Sequence, residues 1–161
     1  FQEDGTGFVL TESASILRYL CDSRSVPDHW YPKDIKQRAN INQYFDWHHN
    51  FLRQGCGGLI FRALFAKKVL GLEFTAEQLK FQEGYLRRSL KMMETWLSST
   101  EYLCGNEKSI ADLLAAHELD QTRFINYDLS KYPKVQAWLH KMIDENPTSL
   151  DIAAKMRHMA D

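Results

Sequence analysis

Apolar positions recur at helical spacing along most of this 161-residue chain, with polar stripes between them. Ile41, Tyr44, Phe45, His48 and Leu52 share one helical face, while Asp46, His49, Asn50 and Arg53 share another. Leu79, Leu86, Leu90, Met93 and Leu97 mark the buried face of a second long helix, widened by Phe81, Tyr85 and Trp96. Val135, Trp138, Leu139 and Met142 define a third. Near the N-terminus Ile16, Leu17 and Leu20 predict a shorter helix. Before it, Phe8, Val9 and Leu10 have strand character and follow a tight-turn run, Asp4 to Gly7.

The boundaries of these elements are also legible. Ser109 with Asp112, and Thr75 with Gln78, are capping boxes, in which each side chain satisfies a backbone N–H that a helix start would leave free. An apolar staple is missing before Ser109, where only the Lys108 methylene stem could substitute. Pro133 suits a first helical turn, Asn146 and Pro147 stop that helix, and Leu150 to Met159 predict a last short one. Gly55, Gly57 and Gly58 each cost about 1 kcal/mol inside a helix relative to Ala, which points to a kink or a close approach.

These elements predict a mainly α fold. Only Phe1 and Gln2 are left to pair with the Phe8 to Leu10 strand, so the expectation is that the sequence starts inside a sheet-containing domain. The helix after it fails at Asp22 to Pro27, and Trp30 and Tyr31 can anchor the proline-bearing connector. The predicted organisation is therefore the tail of one domain over 1–23, a linker over 24–33 and an all-helical domain over 34–161.

Charge and composition narrow the function. With 44% hydrophobic and 25% charged residues and a net charge of -1, there is no electrostatic case for nucleic acid or an anionic membrane as partner. Cys21, Cys56 and Cys104 are an odd, scattered set, reading as small core residues in a reducing compartment, the cytoplasm by default. His48 sits on the apolar stripe as a core histidine, and the adjacent His49 points to a different face, so no i, i+4 metal pair forms and no metal is expected.

Four motifs in order carry a resemblance: T-E-S-A-S-I-L-R-Y-L (Thr11 to Leu20), V-P-D-H-W-Y-P (Val26 to Pro32), W-H-H-N-F-L-R (Trp47 to Arg53) and S-I-A-D-L (Ser109 to Leu113). Together they resemble cytosolic glutathione transferases, the theta class in particular. The resemblance implies a glutathione transferase C-terminal helical bundle preceded by the last β-strand and helix of a thioredoxin-like domain, in a homodimer. It implies glutathione as co-substrate and attack of its thiolate on small hydrophobic electrophiles. Glu12 and Ser13 align with the pair that holds the γ-glutamyl end: the carboxylate accepts from the ligand's ammonium group, and the hydroxyl and N–H at the helix start bind its carboxylate. Asn50 and Arg53 align with a stretch facing the active site, and Phe61 and Phe65 with the lining of the electrophile pocket. The activating hydroxyl and the cis-proline segment would lie upstream of Phe1, so no catalytic residue is assigned and the chain alone is expected to be inactive. The end at Asp161 would leave the pocket without the long covering extension of many theta enzymes.

Two rivals share this fold: a non-catalytic assembly module of the translation-factor kind, and a ligandin-type carrier using the Phe61 and Phe65 surface. The Thr11 to Ser13 junction and Arg53 favour the enzyme, because an assembly module has no use for ligand chemistry. Without the resemblance, Glu12 and Ser13 read as an ordinary helix start, and Asn50 and Arg53 as a solvated face. The Ser109 and Asp112 box reads as a folding element with no contact to glutathione.

Overall fold

A tyrosine on the first helix ties down the N-terminal hairpin in the computed structural model, which describes residues 1–160, with side chains as far as Met156. Asp161, the last residue of the expected helical domain, lies outside the described residues. Phe1 and Leu10 exchange backbone hydrogen bonds at 3.1 and 3.0 Å, and Gly5 and Gly7 take the positive φ that the turn requires. The expected strand over Phe8 to Leu10 is corrected to an isolated antiparallel bridge, Gln2 to Val9, because two such short arms offer no continuous ladder. Phe1 and Phe8 instead lean on the Tyr19 ring, at 5.7 and 5.1 Å between centroids. Glu3 adds a bond from the Tyr19 hydroxyl at 2.9 Å and an ion pair with Arg24. Tyr19 belongs to α1 (Ser13–Ser23), which packs Ala14, Leu17 and Cys21 against the core.

The connector is anchored as its aromatics suggested. After a single 3₁₀ turn (Asp28–Trp30), Tyr31 is buried, donates to Asn42 at 2.9 Å and lies under the Arg38 guanidinium. His29 Nδ1 meets the Lys108 carbonyl at 2.7 Å, and the Lys108 ammonium sits over the Trp30 ring.

Asp34 then caps α2 (Ile35–Asn50) by accepting from the N–H groups of Lys36 and Gln37. Ile41, Tyr44, Phe45 and His48 are buried as their stripe required. The chain continues as a broken rod: α3 (Leu52–Gly55), α4 (Gly57–Ile60), a π turn (Phe61–Phe65) and α5 (Ala66–Leu70). The glycine run thus marks a break, and Gly55 also marks a close approach to the helix α6 (Ala76–Leu97). Both halves of the Thr75 and Gln78 capping box are formed at the start of α6.

Leu86, Leu90, Met93 and Leu97 of α6 are buried, but Phe81 is 67% exposed, which corrects its place on the core face. The buried line takes in Gln82 and Ser89 instead, and Phe81, one residue before Gln82, is turned about 100° away from it. Gln82 earns its burial by donating to the Gln54 carbonyl.

The central element is α7 (Ile110–Asp120), which touches α1, α2, α3, α8 and α9 and is buried on nearly every side. Both halves of its Ser109 and Asp112 box are present. α8 (Pro133–Ile143) carries Pro133 in its first turn, and Glu94 of α6 caps it by accepting from the N–H groups of Lys134 and Val135. α9 (Pro147–Ala160) starts three residues earlier than expected, because Asn146 accepts from the N–H groups of Thr148 and Ser149 and Pro147 takes the first helical position.

Candidate functional site

A strained residue stands at the mouth of a cleft between α1, α2, α3 and α7. Glu12, immediately before α1, has φ 66° and ψ 115°, a conformation that costs a non-glycine residue about 1–3 kcal/mol. Its side chain makes no cap, so the first-turn N–H groups of α1 are left without the usual side-chain acceptor. Glu12 and Ser13 are both exposed and both line the cleft, which has a volume of about 690 Å³. The strain therefore turns a carboxylate, a hydroxyl and a positive helix end towards one space.

The opposite wall comes from the polar stripe of α2 and its continuation. Asn50 lines the cleft, with its amide turned back to donate to the Asp46 carbonyl at 2.8 Å. Arg53 in α3 also lines it, and its Nη1 donates to Glu118 Oε2 at 2.6 Å. The structure thus brings together Glu12, Ser13, Asn50 and Arg53. It does not bring Phe61 and Phe65 to the same cleft. Phe61 is exposed on the π turn and Phe65 is half-buried against the core.

Two charged cleft residues escaped the reading of the sequence. Arg18 reaches the cleft from α1 with its guanidinium over the Phe45 ring, 4.7 Å from the centroid. Glu118 is the other, with a side chain only 3% exposed. Burial pushes its carboxyl above the usual range, against the pull of Arg53 and of the Gly57 N–H. A signal for Glu118 was present: a carboxylate inside the apolar run Leu113 to Leu119 requires a partner.

The remaining candidates are structural. His48 is buried with Nδ1 3.1 Å from the Tyr44 hydroxyl, and burial, with Arg53 and His49 adding, lowers its pKa to about 4. Its neutral form is the folded form. Unfolded chains take up a proton below about 6.5 while the native state resists until about 4, so His48 by itself should contribute a loss on the order of 3 kcal/mol across that window as the pH falls. Urea titrations between pH 7 and 4 should show His48→Gln with a flatter profile than the wild type; parallel profiles would contradict this assignment.

Cys56 is buried, donates its thiol to the Glu118 carbonyl at 2.9 Å, and burial pushes its pKa far above the usual thiol range. Cys21 and Cys104 are half-buried, and burial pushes the Cys104 thiol up to about 12. Among the described residues no group of three or more His, Cys, Asp or Glu side chains could hold a metal ion. No helix among them is long and apolar enough to cross a membrane. Asp112 is fully buried and does not line the cleft.

Carboxylates and cations therefore face each other across one cleft, an arrangement suited to a zwitterionic ligand. Comparison with known proteins agrees in fold and family. The profile of the glutathione S-transferase C-terminal domain matches residues 56–146. Human glutathione S-transferase theta-2 is 32% identical over 133 residues, covering 81% of this chain and 54% of the relative. Glutathione S-transferase T1 of Arabidopsis thaliana is 38% identical over 139 residues, covering 81% and 56%. The chain thus spans about half the length of the curated relatives it matches. The apo form of human glutathione-S-transferase T1-1 superposes with a TM-score of 0.85 at 28% identity, over 98% of this chain and 67% of that one. A human theta-class enzyme in complex with the glutathione conjugate of 1-menaphthyl sulfate gives 0.86 at 28% identity, over 96% and 64%. The chain belongs to the glutathione S-transferase family and is theta-like within it.

Proposed function

We propose that this chain takes part in glutathione conjugation, with the glutathione thiolate displacing a leaving group from, or adding to, an electrophilic carbon of a small hydrophobic substrate. The observation that carries this reading is the strained Glu12, which sets its carboxylate and the start of α1 on the same cleft as Arg53. In this reading Glu12 accepts from the ammonium group of the γ-glutamyl end, and Ser13 with the α1 N–H groups binds its carboxylate. Arg53 stabilises the thiolate or a ligand carboxylate and Asn50 adds a polar contact, while Phe61 and Phe65, which lie outside this cleft, take no part in holding the electrophile. None of the 161 residues is assigned the thiol-activating role, so the chain alone is expected to bind without turnover. The same proposal includes a cytoplasmic homodimer. The exposed Phe51 and Met92 beside Trp47, on the α2 and α6 face, support such a contact.

The test is a titration of the ¹⁵N-labelled 161-residue chain with glutathione, followed by amide shifts. Shifts at Glu12, Ser13, Asn50 and Arg53 are expected, and Glu12→Ala should weaken binding by on the order of tenfold through loss of a charge-assisted contact. S-hexylglutathione should shift the same four residues and leave Phe61 and Phe65 unmoved. Equal affinity of the alanine variant would remove the site assignment, and no shifts at all would favour an assembly module.

A further inference from the structure

One buried residue fastens the junction between α3 and α4 at three points. Glu118 Oε2 accepts from Arg53 Nη1 at 2.6 Å, and Oε1 accepts from the Gly57 N–H at 2.8 Å. Its main-chain carbonyl accepts from the Cys56 thiol at 2.9 Å. The two side chains of the ion pair differ sharply in exposure, 57% for Arg53 against 3% for Glu118, so the charge is anchored from inside and presented to the cleft. A Cβ at position 57 would lie 2.5 Å from Oε1, so any side chain there would have to push the Glu118 carboxylate aside. The first glycine of α4, a buried carboxylate and an arginine one turn earlier thus form one interlocking unit.

We infer that Glu118 is a positioning residue, which holds the Arg53 guanidinium by Nη1 so that its remaining donors stay aimed at an anionic group of the ligand in the cleft. This rests on the proposed glutathione site and adds a residue to it. An unrestrained arginine samples many rotamers and loses that freedom on binding, whereas a tethered one is already oriented. Exposed surface pairs such as Lys155 with Asp151 have no comparable anchor, since both side chains are more than half exposed.

Four forms of the 161-residue chain separate this role from a merely structural one: wild type, Glu118→Gln, Arg53→Ala and the double variant. Glu118→Gln keeps the shape and removes the charge, and Glu118→Asp, which keeps the charge but withdraws it by a methylene, serves as a second variant should the glutamine form not fold. Two readouts are needed. The Arg53 side-chain NMR signals should show hindered guanidinium rotation in the wild type and fast averaging in Glu118→Gln. Glutathione affinity should fall on the order of tenfold in Glu118→Gln. It should fall no further in the double variant than in Arg53→Ala alone, because Glu118 acts through Arg53. Unchanged Arg53 signals in Glu118→Gln, or additive losses in the double variant, would overturn the inference. A wild type that does not bind glutathione would sink the proposed function instead, and the rotation of Arg53 would still report whether Glu118 tethers it.

Discussion

Asp112→Ala should remove about 3–5 kcal/mol of folding stability, a large share of the roughly 5–15 kcal/mol typical of a domain. The carboxylate is completely buried and serves donors from three parts of the chain. Oδ1 accepts from the Leu103 N–H at 2.9 Å and from Trp138 Nε1 at 3.0 Å. Oδ2 accepts from the Ser109 N–H at 2.9 Å and from its hydroxyl at 3.1 Å. Burial pushes the Asp112 carboxyl up, and these donors pull it back, so the charge and its donors are mutually dependent. Alanine leaves several buried donors without an acceptor and a void beside Trp138. Asp112→Asn separates the two effects, since it fills the space but turns an NH₂ towards groups that themselves donate. Urea unfolding should place asparagine between wild type and alanine, while glutathione affinity of the folded variants stays near the wild-type value. A loss below about 1 kcal/mol, or a selective loss of affinity, would contradict the reading of this box as the fastener of α7.

Gly55→Ala should be nearly as damaging, by about 3 kcal/mol, and for a different reason. A Cβ at Gly55 would stand 2.6 Å from the Leu86 Cα, 2.7 Å from the Tyr85 carbonyl carbon and closer still to the Leu86 nitrogen. All of these are backbone atoms of α6, so no rotamer change relieves the overlap and the two helices must separate. Leu52, Leu86 and Leu90 are fully buried in this core, and separation would loosen their packing. Gly84→Ala is the control, because the nearest atom to a Cβ there is an Arg87 nitrogen at 4.0 Å. That variant should match or exceed wild-type stability, since alanine favours the helix by up to about 1 kcal/mol. A Gly55→Ala melting temperature equal to that of Gly84→Ala would refute the close approach.

Periodicity and capping were sufficient for most of the helical framework. The buried line of α2, the boxes at Thr75 and Ser109 and the proline start of α8 all lie where local pattern puts them. They are legible because each depends on residues within one or two turns. Phe81 shows the limit of that rule: its hydrophobicity suggested burial, yet the axis of α6 is set by Gln82, Leu86 and Ser89 against neighbouring helices.

The candidate site was legible only on one side. The Thr11 to Ser13 junction and Arg53 were visible as motifs, but nothing in a glutamate's identity announces φ of 66° at Glu12. Arg53 looked like a member of a solvated stripe, whereas its guanidinium is bound to a carboxylate 65 residues away. What the chain's own pattern settles is therefore most of the helices, the capped starts of α6 and α7, the proline start of α8, the buried line of α2 and the likeness to the theta class. What needed the folded molecule is the meeting of Gly55 with Leu86, of Arg53 with Glu118 and of Glu12 with the cleft. Hydrogen bonding and hydrophobic spacing act along one helix, but the choice of partner between helices follows from packing distances that no single segment encodes.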